Sequence, residues 1–310
     1  MLFHRTDAVR SDTVEGIKAW IQLTHDAFIG VGCVQTEDTG QLDIESITGI
    51  TLVNSTLGYR IYELNDSLSA TYPIYIKVTF APRRSSNTST LPTTPNCSVD
   101  FGKGTDGLGG LVGAVSIGDA YGSSTGSSGA ISYYSSSHSL AYKEDGYLVA
   151  LVGQTCFSGP AYGYGSPLFF LLKRLNNEGD FTVIYPTNNA GARSTSKLDL
   201  FSVTYQYFTG QALEFPALVF MGVANSIVNG NVHTVPAVVA SNDGISIIPE
   251  CVCFPLAAYS PNVKIPLTLD GVSENLYFTF LIGSTSTSKS FHSIPDSRND
   301  TGYNFAVKVG

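Results

Sequence analysis

Hydrophobic positions along the chain follow two different periods. Near the start, Val14, Ile17, Ile21, Thr24 and Phe28 recur at helical spacing, with Trp20 beside the stripe. Ser11 or Asp12 stands where an N-cap belongs, and Asp12-Thr13-Val14-Glu15 reads as a capping box with Asp in place of Ser or Thr. Gly30 and Gly32 end the run. The pattern predicts one amphipathic helix of about four to five turns, its stripe suited to packing on the domain's own sheet. Beyond it the period drops to two. Val31–Thr36 leads into the turn Glu37-Asp38-Thr39-Gly40, and the segments Gly58–Leu64 and Ile74–Phe80 alternate apolar and polar positions with β-branched and aromatic residues. Between those two, Asn65–Ala70 reads as a short helical turn or loop. A helix followed by antiparallel strands makes a compact N-terminal α+β unit over residues 1–82.

Residues 83–100 form a Ser/Thr/Asn/Pro-rich linker. Residues 102–130 are dense in Gly and Ser, but Leu108, Leu111, Val112, Val115 and Ile117 interrupt them, which predicts strands with tight turns or a chain packed closely on a neighbour. From Ala130 the pattern is all-β. Strands are expected at Tyr147–Cys156, Leu168–Lys173, Thr182–Tyr185, Leu200–Phe208, Ala217–Val223, Val235–Ala240, Ile245–Ile248, Leu276–Ile282 and Phe305–Val309. Turn signals at Asn176–Asp180, Asn229–Asn231 and Asn242–Gly244 separate them. The fold expected is mainly β: the small α+β unit, then a larger antiparallel β-sandwich-like region over residues 101–310.

Composition narrows the partners. Only 14% of the 310 residues are charged, against about 25% in an average soluble protein. Ser, Thr, Asn and Gly take up the difference, as suits surfaces that end against other protein or a turn-rich β fold. The net charge is −8 and no basic run exceeds Arg83-Arg84, so nucleic acid is not an expected partner. No stretch approaches the about 20 apolar residues that span a bilayer, and no apolar leader is visible. A chain made and folded in a cytoplasm, without membrane insertion, is expected. Cys33, Cys97, Cys156, Cys251 and Cys253 form neither a dense disulfide framework nor a zinc pattern.

The catalytic motifs fail on context. Gly102–Gly107 matches GxGxxG, but Gly109-Gly110 follows where a helix must begin. Gly122–Gly126 matches GxSxG inside a Gly/Ser tract, where the match is cheap; His233 and His292 are its available downstream partners. The His residues stand alone, and nothing nominates a metal, a cofactor or a carboxylate pair. Aromatic residues remain. Tyr121, Tyr133, Tyr134, Tyr162 and Tyr164 fall in polar stretches, and with Trp20 and Phe28 they are the candidate interface residues. A tyrosine brings flat apolar area with a polar tip at little entropic cost.

Two stretches carry a resemblance. Gln35-Thr36-Glu37-Asp38-Thr39-Gly40-Gln41-Leu42-Asp43, followed by Gly58–Val78 with its Asp66-Ser67-Leu68-Ser69-Ala70-Thr71-Tyr72-Pro73 element, resembles virion structural proteins of tailed bacteriophages. Gly104-Thr105-Asp106-Gly107 then opens the Gly-rich stretch in a similar order. The resemblance spans roughly residues 10–115. It implies a place in a virion, with other virion proteins and copies of the chain as partners, and no catalytic residues. The expected role is a non-enzymatic structural component of the tail, baseplate or collar. The alternatives are a receptor- or glycan-binding module at the tail tip, with a host glycan as ligand, and a capsid decoration protein.

Overall fold

A computed structural model describes residues 1–10, 13–49, 56–81, 96–120, 134–157, 168–185, 202–207, 211–216, 227–228, 231–232, 235–241, 244–255, 264–268, 274–280 and 303–310. Most of them are strands in antiparallel sheets, with one α-helix. The chain divides into two compact units. Met1–Tyr185 and Thr204–Leu213 form the first; Pro186–Val203 and Glu214–Gly310 form the second. The expected boundary near residue 82 lies inside the first unit.

The first unit begins with β1 (Leu2–Arg10) and α1 (Val14–Gly30). Thr13, not Asp12, caps the helix: its Oγ1 accepts from the Gly16 N–H at 3.0 Å, and its extended backbone (φ −124°, ψ 154°) makes it the last residue outside the helix. Glu15 in the first turn complements the helix dipole. At the other end Gly32, at φ +88°, donates to the Ile29 carbonyl (2.9 Å) and Cys33 donates to Phe28 (3.1 Å). That pair of bonds is a Schellman cap, and its left-handed residue is a glycine because a Cβ is disfavoured there.

Two sheets flank this helix. One has five strands, ordered β2 (Val34–Gln35), β3 (Gly58–Glu63), β4 (Tyr75–Ala81), β5 (Asn96–Gly102) and β8 (Val115–Ala120). Between β5 and β8 a small hairpin pairs β6 (Gly104–Thr105) with β7 (Leu111–Val112). The other sheet has seven strands, ordered β1, β9 (Tyr134–Glu144), β10 (Tyr147–Phe157), β11 (Leu168–Arg174), β12 (Phe181–Tyr185), β13 (Ser202–Tyr207) and β14 (Gln211–Pro216). One core serves the helix and both sheets. Ile17, Trp20, Ile21 and Phe28 of α1 meet Tyr62, Ile76, Val78, Phe80 and Phe101 of the first sheet and Leu148, Ala150, Phe170, Leu172 and Val183 of the second. Phe28 stacks on Tyr62 (ring centroids 4.7 Å apart) and on Phe170 (6.3 Å), and Phe170 meets Phe101 edge-on at 5.1 Å.

The second unit holds a two-stranded ribbon, β15 (Ile227–Val228) with β16 (Asn231–Val232), and a five-stranded sheet. That sheet is ordered β17 (Val235–Ser241), β18 (Gly244–Pro255), β21 (Tyr303–Lys308), β20 (Asn275–Phe280) and β19 (Lys264–Leu267). Ile265, Tyr277, Val307 and Val309 are buried in it. The turn signals expected between β15 and β16 and between β17 and β18 fall on residues 229–230 and 242–243, which lie outside the described residues.

Several expected strands form within a few residues of their predicted bounds, β3, β4, β10, β11, β12, β17 and β20 among them. The segment expected as linker ends instead in β5, whose Asn96–Gly102 pairs with β4 along its whole length. β1, β9, β14 and β19 were not legible as strands. The expected strand Ala217–Val223 lies outside the described residues. Among the described residues no helix is long and apolar enough to cross a membrane.

Phe28→Ala removes the ring shared by the helix and both sheets and should cost about 3–5 kcal/mol. Trp20, the single tryptophan of the chain, is buried against Phe80 in the same core. Urea unfolding followed by its fluorescence should therefore show the midpoint of the first unit falling. An unchanged midpoint would show that the ring does not hold the layers together.

Candidate functional site

The turn Thr36–Gln41 and the loop between β6 and β7 are far apart along the chain and meet in the fold. The turn after β2 is closed by Gln41, whose Nε2 donates to the Thr36 carbonyl at 2.6 Å. Its Oε1 accepts from the Ile61 N–H at 2.9 Å, which pins the turn to β3. The loop between β6 and β7 is closed by Asp106, whose Oδ1 accepts from the N–H groups of Leu108 and Gly110, each at 2.8 Å. Those backbone bonds hold the Asp106 carboxyl below its ordinary range.

The two loops then lock together. Thr39 donates its N–H to Gly107 O at 2.9 Å, and its hydroxyl reaches the same oxygen at 3.1 Å. Buried Asp38 accepts from the Gly109 N–H at 3.3 Å. Tyr59, on β3, sits between the loops: its hydroxyl lies 2.6 Å from Thr39 O and 3.2 Å from Leu108 O. Partial burial first, then the carboxylates of Asp38 and Asp106, raise its pKa and keep the hydroxyl a donor. Lys77 from β4 donates to Gly109 O at 2.6 Å and lies 4.4 Å from the centroid of the Tyr59 ring, a cation–π contact. Gly109 has φ +93°, and a Cβ there would stand 2.0 Å from the Tyr59 oxygen. Only glycine fits. At the tip of this pinned loop the Leu108 side chain is 74% exposed, and Val112 on the hairpin is 56% exposed.

A second knot ties the far loops of the two sheets. Asp66, in the turn before β4, receives Arg174 Nε at 2.5 Å on Oδ2 and its Nη2 at 2.8 Å on Oδ1. The same Nη2 donates to Tyr72 O at 2.8 Å. Both side chains are buried, at 5% and 0% exposure. The β9–β10 turn joins in: Arg174 N–H donates to Gly146 O, while Asp145 accepts from the Ser67 N–H and hydroxyl at 2.8 and 2.7 Å. Burial would raise the Asp66 pKa. The Arg174 guanidinium and charge, the Ser69 hydroxyl and the Leu68 N–H outweigh it and lower the pKa.

The sequence candidates fall elsewhere. Trp20 and Phe28 are 3% and 0% exposed, and their rings are spent on Phe80, Tyr62 and Phe170 of their own chain. They are core, because the helical stripe packs inward. Tyr134 lies in β9, paired with Arg10 of β1. Tyr121, Tyr133, Tyr162 and Tyr164 lie outside the described residues, as do the GxSxG segment, His233 and His292. The GxGxxG match falls at the end of β5 and in the β6–β7 hairpin, so its glycines serve a tight strand return rather than a helix start. Among the described residues no group of three metal-ligating side chains forms. Tyr59 and Leu108 are not among the sequence candidates. Their signal was the glycine pair flanking Leu108, a loop too rich in glycine for a strand and holding one large apolar residue.

Comparison with protein-family models, with curated proteins and with solved structures finds no match to this chain.

Gly109→Ala should loosen the loop pair at a cost of about 1–3 kcal/mol from backbone strain alone, and Tyr59→Phe at about 1 kcal/mol. Hydrogen exchange at Thr39 and Leu108 N–H reads both directly, with faster exchange expected in each variant. Asp66→Asn leaves Arg174 buried without its counter-charge and should cost about 3–5 kcal/mol. The wild-type contribution is present above the unfolded carboxyl pKa and is lost as pH falls through the lower folded value. Acid unfolding should thus show a stability loss below about pH 4 that is absent in Asp66→Asn.

Proposed function

We propose that this chain is a structural component of a tailed-phage particle, assembling through protein–protein contacts in the tail, baseplate or collar. The observation that carries the reading is the docking of Gln35–Asp43 onto the Gly104–Gly110 loop. Gln35–Asp43 and, within that loop, Gly104–Gly107 are separate parts of the phage-like pattern; Thr39 and Gly107 join them directly, and Asp38, Gly109 and Tyr59 extend the contact into one feature. The shared order of parts thereby has a physical reason: each segment is the other's hydrogen-bond partner.

The same feature suits assembly. A loop held by Asp106, Tyr59 and Lys77 presents Leu108 to solvent already ordered. A partner covering that side chain gains apolar burial without the entropic cost of fixing a loop. The low charge of the chain, 14% of residues, fits surfaces that end against other proteins.

Mass spectrometry of particles purified from cells that produce this chain should find it in several copies per virion. Particles that are complete and infectious without it would overturn the proposal. Gold labelling of the chain on intact particles should mark the tail end; labelling of the head would favour the decoration role.

A further inference from the structure

β1 is the outermost strand of the seven-stranded sheet, paired with β9 from Leu2↔Tyr142 to Arg10↔Tyr134. Its phase is readable. Met1 and Lys143 exchange backbone hydrogen bonds, Lys143 N–H to Met1 O at 2.9 Å and the Met1 nitrogen to Lys143 O. In an antiparallel ladder such pairs alternate with pairs that make no hydrogen bond. Phe3, Arg5, Asp7 and Val9 therefore turn their backbone groups toward β9. Leu2, His4, Thr6, Ala8 and Arg10 turn theirs away from it, toward the outer edge of the sheet. Among the described residues no strand pairs with that edge.

The other edges of the three larger sheets are blunted in ways that discourage pairing. β2 is two residues long. β8 contains Gly118 and pairs with β5 across a register shift. β14 ends in Pro216, β17 carries Pro236 and β19 carries Pro266 beside exposed Lys264. β1 runs for nine residues with neither Gly nor Pro.

We infer that β1 is a homotypic docking strand, and that two copies of the chain join by antiparallel pairing of Leu2–Arg10 with the same segment of a second copy, centred on Thr6. The sequence chooses this occupant and this register. Outward-facing residues must pair with outward-facing residues, so the two-fold register sets Leu2 opposite Arg10, His4 opposite Ala8 and Thr6 opposite Thr6. The intervening, closer pairs are then Phe3 with Val9 and Arg5 with Asp7, one apolar and one of opposite charge. Sliding by one allowed step either way sets Arg5 opposite Arg5 or Asp7 opposite Asp7, and like charges directly opposite are destabilising. Arg5 already holds Asp26 of its own α1 at 2.9 Å, so the central register sets Asp7 of the second copy beside an existing ion pair, and it is the one register of the three with no like charges directly opposite. The inference deepens the assembly proposal and rests on it only in expecting contacts between copies.

Cysteine scanning of the full chain tests it. Cα atoms of a hydrogen-bonded antiparallel pair stand about 5.5 Å apart, within disulfide reach. Under mild oxidation Thr6→Cys should form a cross-linked dimer. His4→Cys and Ala8→Cys should each fail alone and cross-link when mixed. No dimer with Thr6→Cys, or equal cross-linking by all three alone, overturns the inference. Thr6→Pro provides a second route, because it removes an outward N–H and leaves the β9 ladder its donors. Sedimentation should show loss of the dimer with an unchanged Trp20-monitored unfolding midpoint; a Thr6→Pro dimer as stable as wild type overturns the inference. A chain present in virions but never cross-linked through Thr6 fails this inference alone. A Thr6-linked dimer missing from virions fails only the assembly proposal.

Discussion

The first unit depends on one ring. Phe28 stacks on Tyr62 from one sheet and on Phe170 from the other, and Phe170 passes the contact to Phe101. An α-helix against a single sheet needs one apolar stripe. Here the stripe is wide enough to serve two sheets, with Ile17, Ile21 and Phe28 all fully buried. Aromatic pairs bring geometric preference beyond their buried area, so the shared ring sets how the layers face one another. The two polar knots lie at loops around this core. They hold in place what burial alone leaves free to slide.

The knots differ in kind. The Asp66–Arg174 pair is buried and bidentate, and its desolvation cost is offset by Ser69, Leu68 and Tyr72. The Tyr59 knot is a surface structure built from backbone carbonyls and short loops. It spends glycines where the chain turns left-handed or passes another group too closely for a Cβ. A buried ion pair specifies which loops meet. A glycine-built loop fixes the shape of what it presents.

Much of the fold was readable in advance because it rests on local period. The helix, its inward stripe and its Gly32 terminus follow from spacing, and so do β3, β4 and β10 with their alternating or continuous apolar residues. The strands without a clear period in the sequence are stabilised by neighbours. β1 has no regular apolar period in its sequence, and its place is set by its pairing with β9 and by the Phe3 ring, which takes the space a Cβ on Gly30 would fill. β9 runs through a serine-rich stretch that looks like loop. Trp20 and Phe28, read as interface candidates, are core for the reason that made them conspicuous: they lie on or beside the helical stripe. The Tyr59–Leu108 knot could not be read from spacing, because its partners come from strands and loops that only tertiary pairing brings together.

The path of the chain between its two units has a consequence for how the protein is made. After β12 the chain enters the second unit at Pro186, returns to the first for Thr204–Leu213 and leaves again at Glu214. The first unit is thus not complete when its longest continuous stretch leaves the ribosome. Until β13 and β14 have been synthesised, β12 is itself a sheet edge. An emerging chain with an unfinished sheet is exposed to wrong pairing during translation. Because the first unit is drawn from two separate stretches of chain, no single cut releases it whole.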